Sequence, residues 1–188
     1  MEFYRVMTRL ILVRHGETEW NKKGLIQGGT DVPLNATGRV QALAVVDSLQ
    51  NITHSAIVSS PLARAAETAR IIADALHHSE ISFEDDLVEQ GHGEAEGTPW
   101  ASLEDRFPNG KIPGFEPHTT LAERAFAALS RVAERHPSGT VIVVTHGALI
   151  NAMTFRAVQL PELYPGSVGN CSIRDLSMIG GELGVWSN

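Results

Sequence analysis

LILVRHGETEWN, at residues 10–21, joins a short apolar run to a polar turn. The run is partly β-branched, which is typical of a buried strand. In an open α/β sheet, reactive groups lie at the carboxyl ends of strands, where they are exposed without disturbing the core. There Arg14 offers a planar fork for an anion, His15 carries a nitrogen nucleophile, and Gly16 removes a side chain that would crowd an incoming group. A single histidine at a strand end is more often an ordinary turn residue, so the function of His15 depends on the rest of the chain.

The chain has 188 residues, of which 43% are hydrophobic and 20% are charged. This composition is typical of a globular protein, and the length predicts one domain that spans residues 1–188. The formal net charge is −7, which argues against broad nucleic-acid binding through a basic face. An anionic substrate would therefore need a local cluster of arginine and histidine.

Cysteine usage and hydrophobicity indicate the compartment. Cys171 is the only cysteine, so the sequence excludes an intramolecular disulfide or a cysteine-rich zinc site and favours a reducing environment. The apolar run 10–13 is too short for the hydrophobic region of a signal peptide, and no segment approaches the roughly 20 apolar residues that cross a bilayer. These features predict a cytoplasmic protein without a membrane partner. Residues 1–6 indicate no role.

Glycine and proline mark residues 22–34 as a loop. A helix is predicted to follow over about 38–50, with Asn35 or Thr37 as its cap. Its apolar positions recur at helical spacing, and we expect them to form its buried face; they are Val40, Leu43, Val46 and Leu49.

The next strand is predicted over residues 54–58, and Ser60 is the predicted cap of a helix from Leu62 to about Leu76. Arg64 lies in the first turn of this helix. A helix N-terminus presents free N–H groups and partial positive charge, so an arginine there suits an anion site. On local grounds Arg64 could equally be a surface residue that pairs with Glu67 one turn later.

The middle of the chain is harder to assign. Residues 81–83 are predicted to form a short strand, and 100–118 a long irregular segment with one helical turn near 102–106. Loops of this length are often lids or binding loops, although a passive surface connection is the alternative. A capping box at 120–123 predicts a helix that runs to about His136.

The C-terminal part repeats the arrangement of strand, histidine and glycine. Residues 140–145 are the clearest central strand, and they lead directly into His146, with a helix predicted over 148–158. Residues 173–186 are typical of an antiparallel hairpin at a sheet edge. The sequence does not determine the oligomeric state, but this hairpin could pair with a second copy, which leaves a homodimer as one option.

Three segments resemble the signature motifs of the histidine phosphatase superfamily, in its phosphoglycerate mutase-like branch. They are RHGETEWN at 14–21, SSPLARA followed by Thr68-Ala69 at 59–69, and VVTHGA at 143–148. The resemblance extends over most of the chain. It implies a three-layer α/β/α sandwich with a mostly parallel sheet and helices on both faces.

Residues 87–97 are similar to a further family segment, in which a glutamate precedes an aromatic-Gly-x-Trp-Glu-Gly turn. From the residues alone, no glutamate of this segment can be singled out, and the resemblance selects Glu89. The chain departs from the pattern at two positions, because His92 replaces the usual aromatic residue and Ala95 the usual tryptophan. Because of these two replacements, the packing of this turn and the choice of substrate do not follow from the family pattern.

The resemblance implies catalysis through a phosphohistidine. Imidazole can attack phosphorus near neutral pH because its unperturbed pKa of about 6.5 leaves a neutral ring nitrogen, and we hypothesise that His15 is this nucleophile. Glu89 is the candidate that donates a proton to the leaving alkoxide and then activates water. Arg14, Arg64 and His146 are predicted to be catalytic as well as substrate-binding, because they would surround the phosphoryl oxygens and balance charge during transfer. Asn21 and Gln27 are predicted to bind the substrate through further hydrogen bonds.

This scheme requires no metal or other cofactor. The eight histidines include no His-x-x-x-His pair, and the neighbours His77 and His78 are more simply explained as a solvated pair. Cys171 and Arg174 are too close in sequence for the phosphate-binding loop of cysteine phosphatases, and no glycine-rich nucleotide loop is present.

Three functions remain open at this level. The separation between Glu89 and His146 is shorter than in the mutases that the chain resembles, which favours a phosphatase acting on a small phosphorylated metabolite. A cofactor-dependent phosphoglycerate mutase and a catalytically silent phosphate-binding protein are the alternatives. Sugar phosphates, phosphoglycerates and α-ribazole phosphate are candidate substrates, and the aromatic residues expected to line the site are Trp20, Trp100 and Phe115.

Overall fold

The computed structural model describes residues 6–159 and 168–187, so residues 1–5 of the segment without a predicted role lie outside the description. Six strands form one sheet in this part of the chain. Their bounds are β1 Met7–Arg14, β2 Ala56–Ser59, β3 Ile81–Phe83, β4 Thr140–Thr145, β5 Ile173–Ile179 and β6 Glu182–Val185.

The order across the sheet is β3-β2-β4-β1-β5-β6. The first four of these strands are parallel to one another, whereas β5 runs antiparallel to β1, and β6 antiparallel to β5. The mostly parallel sheet and the C-terminal edge hairpin are therefore as predicted.

The helices are α1 Glu19–Lys22, α2 Ala36–Ala44, α3 Val46–Leu49, α4 Ala63–Ala75, α5 Leu103–Arg106, α6 His118–Arg135 and α7 Gly147–Val158. Alternate residues of β1 face opposite sides of the sheet. Leu10 and Leu12 pack with α6 and α7, whereas Ile11 and Val13 pack with α3 and α4. Each fully buried side chain of this kind contributes about 1.5–3 kcal/mol. The result is the expected three-layer sandwich.

The register of the two central strands places the two histidines side by side. Arg14 at the end of β1 pairs with Thr145 at the end of β4. The strands are parallel, so the residues that follow them, His15 and His146, leave the sheet at the same edge. The ladder continues one step further, because the His15 N–H donates to the Thr145 carbonyl at 2.9 Å.

The helix after the first loop is predicted correctly in position but only partly in orientation. Asn35 caps it, as its side-chain oxygen accepts from the Gly38 N–H at 2.8 Å. Val40 and Leu43 are 69% and 59% exposed, so their predicted burial is wrong, whereas Val46 and Leu49 are buried.

The reason for this orientation is a close backbone contact beside the site. A Cβ atom on Gly38 would lie 2.1 Å from the Glu17 carbonyl oxygen, and one on Gly16 would lie 2.4 Å from the Gly38 carbonyl oxygen. The helix therefore turns its smallest residue toward the strand end. Gly16 makes room for this helix, and not for an incoming group as the sequence suggested.

The predicted capping box at residues 120–123 is wrong. Helix α6 begins at His118, with Pro117 at the N-cap and no side-chain capping bond. The φ of −57° at Pro117 is fixed by its ring and leads the chain into the helix three residues before the predicted start. The helical turn predicted near 102–106 is present as α5, preceded by a turn of 3₁₀ helix at Trp100–Ser102.

Candidate active site

His15 lies at the floor of the candidate site and is 1% exposed. Its Nδ1 atom is 2.7 Å from the Gly16 carbonyl oxygen, and because a carbonyl can only accept, Nδ1 carries the hydrogen. Nε2 therefore keeps its lone pair. Burial, followed by the charges of Arg64 and Arg14, lowers the pKa of His15 well below its ordinary value. At neutral pH the ring is a neutral imidazole with a nucleophilic Nε2.

His146 leaves β4 at the same edge, and its ring centroid lies 5.2 Å from that of His15. Its Nε2 atom is 2.8 Å from the Ser60 hydroxyl oxygen. Burial, followed by the charge of Arg64, also holds the pKa of His146 well below the ordinary range. The two rings are thus neutral neighbours in a strongly cationic surrounding.

Two arginines supply that charge. Arg14 donates from Nη1 to the Val168 carbonyl, and Arg64 donates to the carbonyls of Gly28 at 2.8 Å and Thr30 at 3.0 Å. Burial lowers the pKa of Arg14 and brings that of Arg64 to about 10, although the negative charge of Glu89 opposes the shift in both. Both guanidinium groups remain charged at neutral pH.

The loop between α1 and α2 holds Arg64 in place. Glu96 accepts from the N–H groups of Gly29 at 2.9 Å and Thr30 at 2.8 Å, which fixes the carbonyls that Arg64 contacts. The Asp31 carboxylate accepts from the Ala63 N–H at 2.7 Å and so caps α4. The prediction that Ser60 caps this helix is wrong, because α4 begins at Ala63 with Leu62 at its N-cap; the Ser60 hydroxyl contacts His146 and accepts from the Leu62 N–H at 3.4 Å.

Several donors of the site have no protein partner. Among the described residues, five buried side-chain nitrogen or oxygen atoms lack a hydrogen bond within the protein, and four belong to predicted site residues: Arg14 Nε, Gln27 Nε2, Arg64 Nε and His146 Nδ1. The fifth atom belongs to His54. This residue precedes the N-terminal end of β2 and so lies at the opposite edge of the sheet. An unsatisfied buried polar group costs about 1–3 kcal/mol. Their concentration around the histidines indicates a site built for a ligand rich in acceptor oxygens.

Glu89 lies at the rim of this cluster and is 8% exposed. Its carboxylate accepts from the N–H groups of Gln90 at 3.0 Å and Ala148 at 3.2 Å, the latter at the start of α7. Glu89 lines the same cavity as Arg14 and Gln27. Of the glutamates in its segment, the one that the resemblance selected therefore faces the site.

The two amides predicted to bind substrate also line the cavity. Gln27 accepts from the Thr18 hydroxyl at 2.6 Å, which directs its NH₂ group away from that contact. Asn21 completes a capping box with Thr18 on α1, and its side-chain oxygen accepts from Asn170 at 3.3 Å. Both side chains are thus held in place by neighbours outside the cavity.

Three residues support the site although the sequence did not predict this role for them. Ser60 contacts His146; Thr68 accepts from the Gly16 N–H at 3.1 Å and donates to the Arg64 carbonyl at 2.7 Å; and Asn170 donates to the His15 carbonyl at 3.0 Å. Ser60 and Thr68 belong to the second motif, so their inclusion there was a signal. Asn170 is isolated in the sequence and gave none.

A cavity of about 750 Å³ lies beside the histidines, and its lining includes Arg14, Glu89 and Gly147 but not His15, Arg64 or His146. Trp100 and Phe115 line it as predicted, whereas Trp20 packs against Gly97. His92 takes the place of the expected aromatic residue, since its ring centroid lies 5.8 Å from those of both Trp100 and Phe115. The irregular segment 100–118 therefore forms a wall of the cavity.

The described parts of the chain contain no group of three His, Cys, Asp or Glu side chains arranged to hold a metal ion. None of the helices described is long and apolar enough to span a bilayer.

Comparison with known proteins assigns the family. Residues 10–186 match the model of the histidine phosphatase superfamily, branch 1. The chain is 41% identical over 147 residues to the uncharacterized phosphatase PhoE of Bacillus subtilis, covering 78% of this chain and 76% of that protein. It is 34% identical to the metal-independent phosphoserine phosphatase of Arabidopsis thaliana, covering 97% and 82%. Its relatives also include the phosphoglycerate mutase-like protein 4 of Arabidopsis thaliana and the probable phosphoglycerate mutase GpmB of Salmonella choleraesuis.

The fold agrees with this assignment. The solved structure of YhfR from Bacillus stearothermophilus superimposes with a TM-score of 0.87 at 28% identity and covers 95% of both chains. The family match and the phosphatase-named relatives show an enzyme of the phosphatase class. The chain belongs to the histidine phosphatase superfamily, branch 1.

Proposed function

We propose that the protein is a metal-independent phosphomonoesterase that hydrolyses a small phosphorylated metabolite through a phosphohistidine on His15. The observation that carries the proposal is the state of His15, which is buried and neutral, with Nδ1 committed to the Gly16 carbonyl and Nε2 free. The charges of Arg64 and Arg14 act on His15, and the partnerless donors of Arg14, Gln27 and Arg64 match the oxygens of a phosphoryl group.

In the first step the Nε2 lone pair attacks phosphorus, and the bond from phosphorus to the ester oxygen breaks. The ring becomes positively charged, which strengthens the bond from Nδ1–H to the Gly16 carbonyl. The guanidinium groups balance the charge on the phosphoryl oxygens. Glu89, at the rim, takes up a proton from the phosphate monoanion of the substrate as it binds, and donates this proton to the leaving alkoxide.

In the second step water attacks the phosphohistidine. Glu89, now a carboxylate, accepts a proton from the water, the bond from phosphorus to Nε2 breaks, and His15 returns to its neutral form. Inorganic phosphate leaves. The cycle needs no group beyond the residues of this chain and water.

The substrate class follows from the size of the cavity and its lining. A volume of about 750 Å³ lies within the range of small-molecule pockets. Trp100 and Phe115 offer an apolar wall, and Asn21 and Asn151 offer hydrogen bonds to hydroxyl groups. These groups suit a phosphomonoester with a compact organic body.

Hydrolysis of p-nitrophenyl phosphate between pH 5 and 8, with EDTA present, tests the proposal. We expect wild-type turnover that His15→Ala reduces by at least about 10⁴-fold, because the covalent route is lost. Near-normal turnover by the variant would contradict the assignment of the nucleophile. Activity that depends on added metal would contradict the metal-independent route.

Phosphoglycerate mutase activity is the second candidate, favoured by the mutase-named relatives. A mutase returns the phosphoryl group to an organic acceptor, whereas a phosphatase transfers it to water. Incubation of the phosphoenzyme with 3-phosphoglycerate separates the two, because 2,3-bisphosphoglycerate forms only in the first case. Failure to form any phosphoenzyme would instead favour a silent binding protein.

A further inference from the structure

We propose that Arg124, together with Glu116, is a positioning residue that holds Glu89 in place for proton transfer. Neither side chain is among those that line the cavity, and Arg124 lies on α6 in the layer behind it. The inference rests on the proposed function, since it concerns the acid of that reaction.

The Arg124 guanidinium has five N–H donors, and the structure provides an acceptor for each. Nη1 donates to the carbonyls of Asp86 and Val88, both at 2.8 Å. Nη2 donates to the Glu89 carbonyl at 2.9 Å and to Glu116 Oε2 at 2.9 Å, and Nε donates to Glu116 Oε1 at 2.6 Å. One planar group therefore fixes three backbone carbonyls that lead up to and include Glu89.

Glu116 extends this hold to the residues that follow Glu89. Its Oε2 atom accepts from the Gly91 N–H at 3.0 Å, and its own N–H donates to the Gly91 carbonyl at 2.8 Å. Gln90 donates from its side chain to the Glu116 carbonyl at 2.8 Å. Burial opposes the charge on Glu116, but bonds from Arg124 and Gly91 outweigh it and lower the pKa of Glu116, so the pair is ionic at neutral pH.

This hold matters because residues 88–91 belong to no helix or strand. Buried backbone N–H and C=O groups need hydrogen-bond partners. Here side chains supply the hydrogen bonds that a neighbouring strand supplies in a sheet. The Glu89 carboxylate bridges to the Ala148 N–H, next to Gly147 and His146. A displacement of the segment would loosen this bridge and change the distance between the acid and the reacting oxygen.

The dependence on the leaving group distinguishes such a role from general structural support. A general acid assists most when the departing oxygen is strongly basic, and it adds little when the oxygen leaves readily as an anion. Phenyl, p-nitrophenyl and 2,4-dinitrophenyl phosphate form an aryl series of falling leaving-group basicity. Their kcat/KM values report the steps up to phosphoryl transfer to His15 and exclude the later attack of water.

For Arg124→Gln, we expect kcat/KM to fall by about 10- to 100-fold with phenyl phosphate, within the range that general acids contribute. With 2,4-dinitrophenyl phosphate we expect a fall of less than about threefold. Arg124→Lys keeps the charge but not the fork, so it should show a smaller change of the same kind. Equal losses on all three substrates would overturn the proposal, because they would indicate a merely structural role.

Arg131→Gln is the matched control. Arg131 lies on the same helix and pairs with Glu84 and Asp86, but its bonds go to side chains and not to the backbone before Glu89. Its loss should leave the leaving-group dependence unchanged. In the double variant Arg124→Gln/Glu89→Gln, kcat/KM should depend on leaving-group basicity as it does in Glu89→Gln alone. A steeper dependence in the double variant would overturn the proposal.

If circular dichroism shows that the Arg124 variants do not fold, Glu116→Gln provides the second test. It retains the side-chain volume and weakens the ion pair, so the same selective loss is expected at a smaller size, and an unselective loss would overturn the proposal. Wild type and His15→Ala are measured alongside. Turnover that does not depend on His15 would overturn the proposed function and this inference with it. If turnover depends on His15 but the Arg124 variants show the leaving-group dependence of wild type, the inference alone is overturned.

Discussion

The two sides of the cavity are held in place by different kinds of bond. The phosphate side is built on the ends of β1 and β4, whose paired backbones set His15 beside His146. The opposite side, from residue 86 to 118, has only short helical turns and is held by side chains such as Arg124 and Glu116. Sheet register therefore fixes the residues that we propose for the reaction, whereas individual side-chain bonds hold the side that we propose contacts the rest of the substrate. Variants of the two sides should fail in different ways.

Arg64→Lys should produce the largest effect among the variants of the phosphate side other than His15→Ala. A lysine has no planar fork, so it cannot contact Gly28 and Thr30 and also present a donor to phosphate. We expect kcat/KM for p-nitrophenyl phosphate to fall by about 10²- to 10³-fold, as when a transition-state donor is removed.

The loss from Arg64→Lys should be equally large for every phosphomonoester tested, because all share the phosphoryl group. A loss that varied strongly with the organic part of the substrate would contradict the division between the two sides. Arg39→Lys is the control, since Arg39 is an exposed residue that pairs with Glu67 on α4.

The pH dependence of stability should also report the phosphate side. The pKa values of His15 and His146 are lowered in the folded state, so unfolding below about pH 6.5 takes up protons that the folded protein does not bind. The stability that comes from keeping these rings neutral is present above about pH 6.5. It is lost as the pH falls toward the lowered values, at up to about 1.4 kcal/mol per pH unit for each ring.

Urea unfolding of wild type and His15→Ala between pH 8 and 5 measures this effect. We expect the free energy of unfolding of wild type to fall more steeply than that of the variant between pH 6.5 and 5. Between pH 7 and 8 the two slopes should be equal, which serves as the internal control. Parallel curves over the whole range would contradict a buried neutral His15.

Phe115→Ala tests the opposite side. Its ring lines the cavity and lies 5.8 Å from that of His92 and 5.7 Å from that of His118. We expect KM for phenyl phosphate to rise about threefold to tenfold, the range of an aromatic contact, with a much smaller change for glycerol phosphate. Phe107→Ala, in the same segment but outside the cavity lining, should change neither. An equal rise for both substrates would place the effect on the phosphate side.

This difference between the two sides also decides how much the sequence could predict. His15 and His146 follow strands whose apolar pattern is readable, the resemblance implied the mostly parallel sheet that brings them together, and the motifs added Arg64. Arg124 has no such signal, because its partners are backbone carbonyls of a segment without regular structure. The burial of Val40 and Leu43 was predicted wrongly because helical spacing cannot detect the close backbone contact at Gly38.

The smallest expected effect concerns the loop that joins the two sides. Asp31 caps α4 through the Ala63 N–H, whereas Thr120 lies inside the first turn of α6 and makes no capping bond. Asp31→Ala should lower the free energy of unfolding by about 1 kcal/mol, the usual value of a side-chain cap. Thr120→Ala should change it by less than about 0.5 kcal/mol. Chemical denaturation of both variants measures the difference. The opposite order would mean that Thr120 opens α6, as the capping box suggested. It would also mean that the loop bonded to Glu96 does not stabilise α4, the helix that carries Arg64.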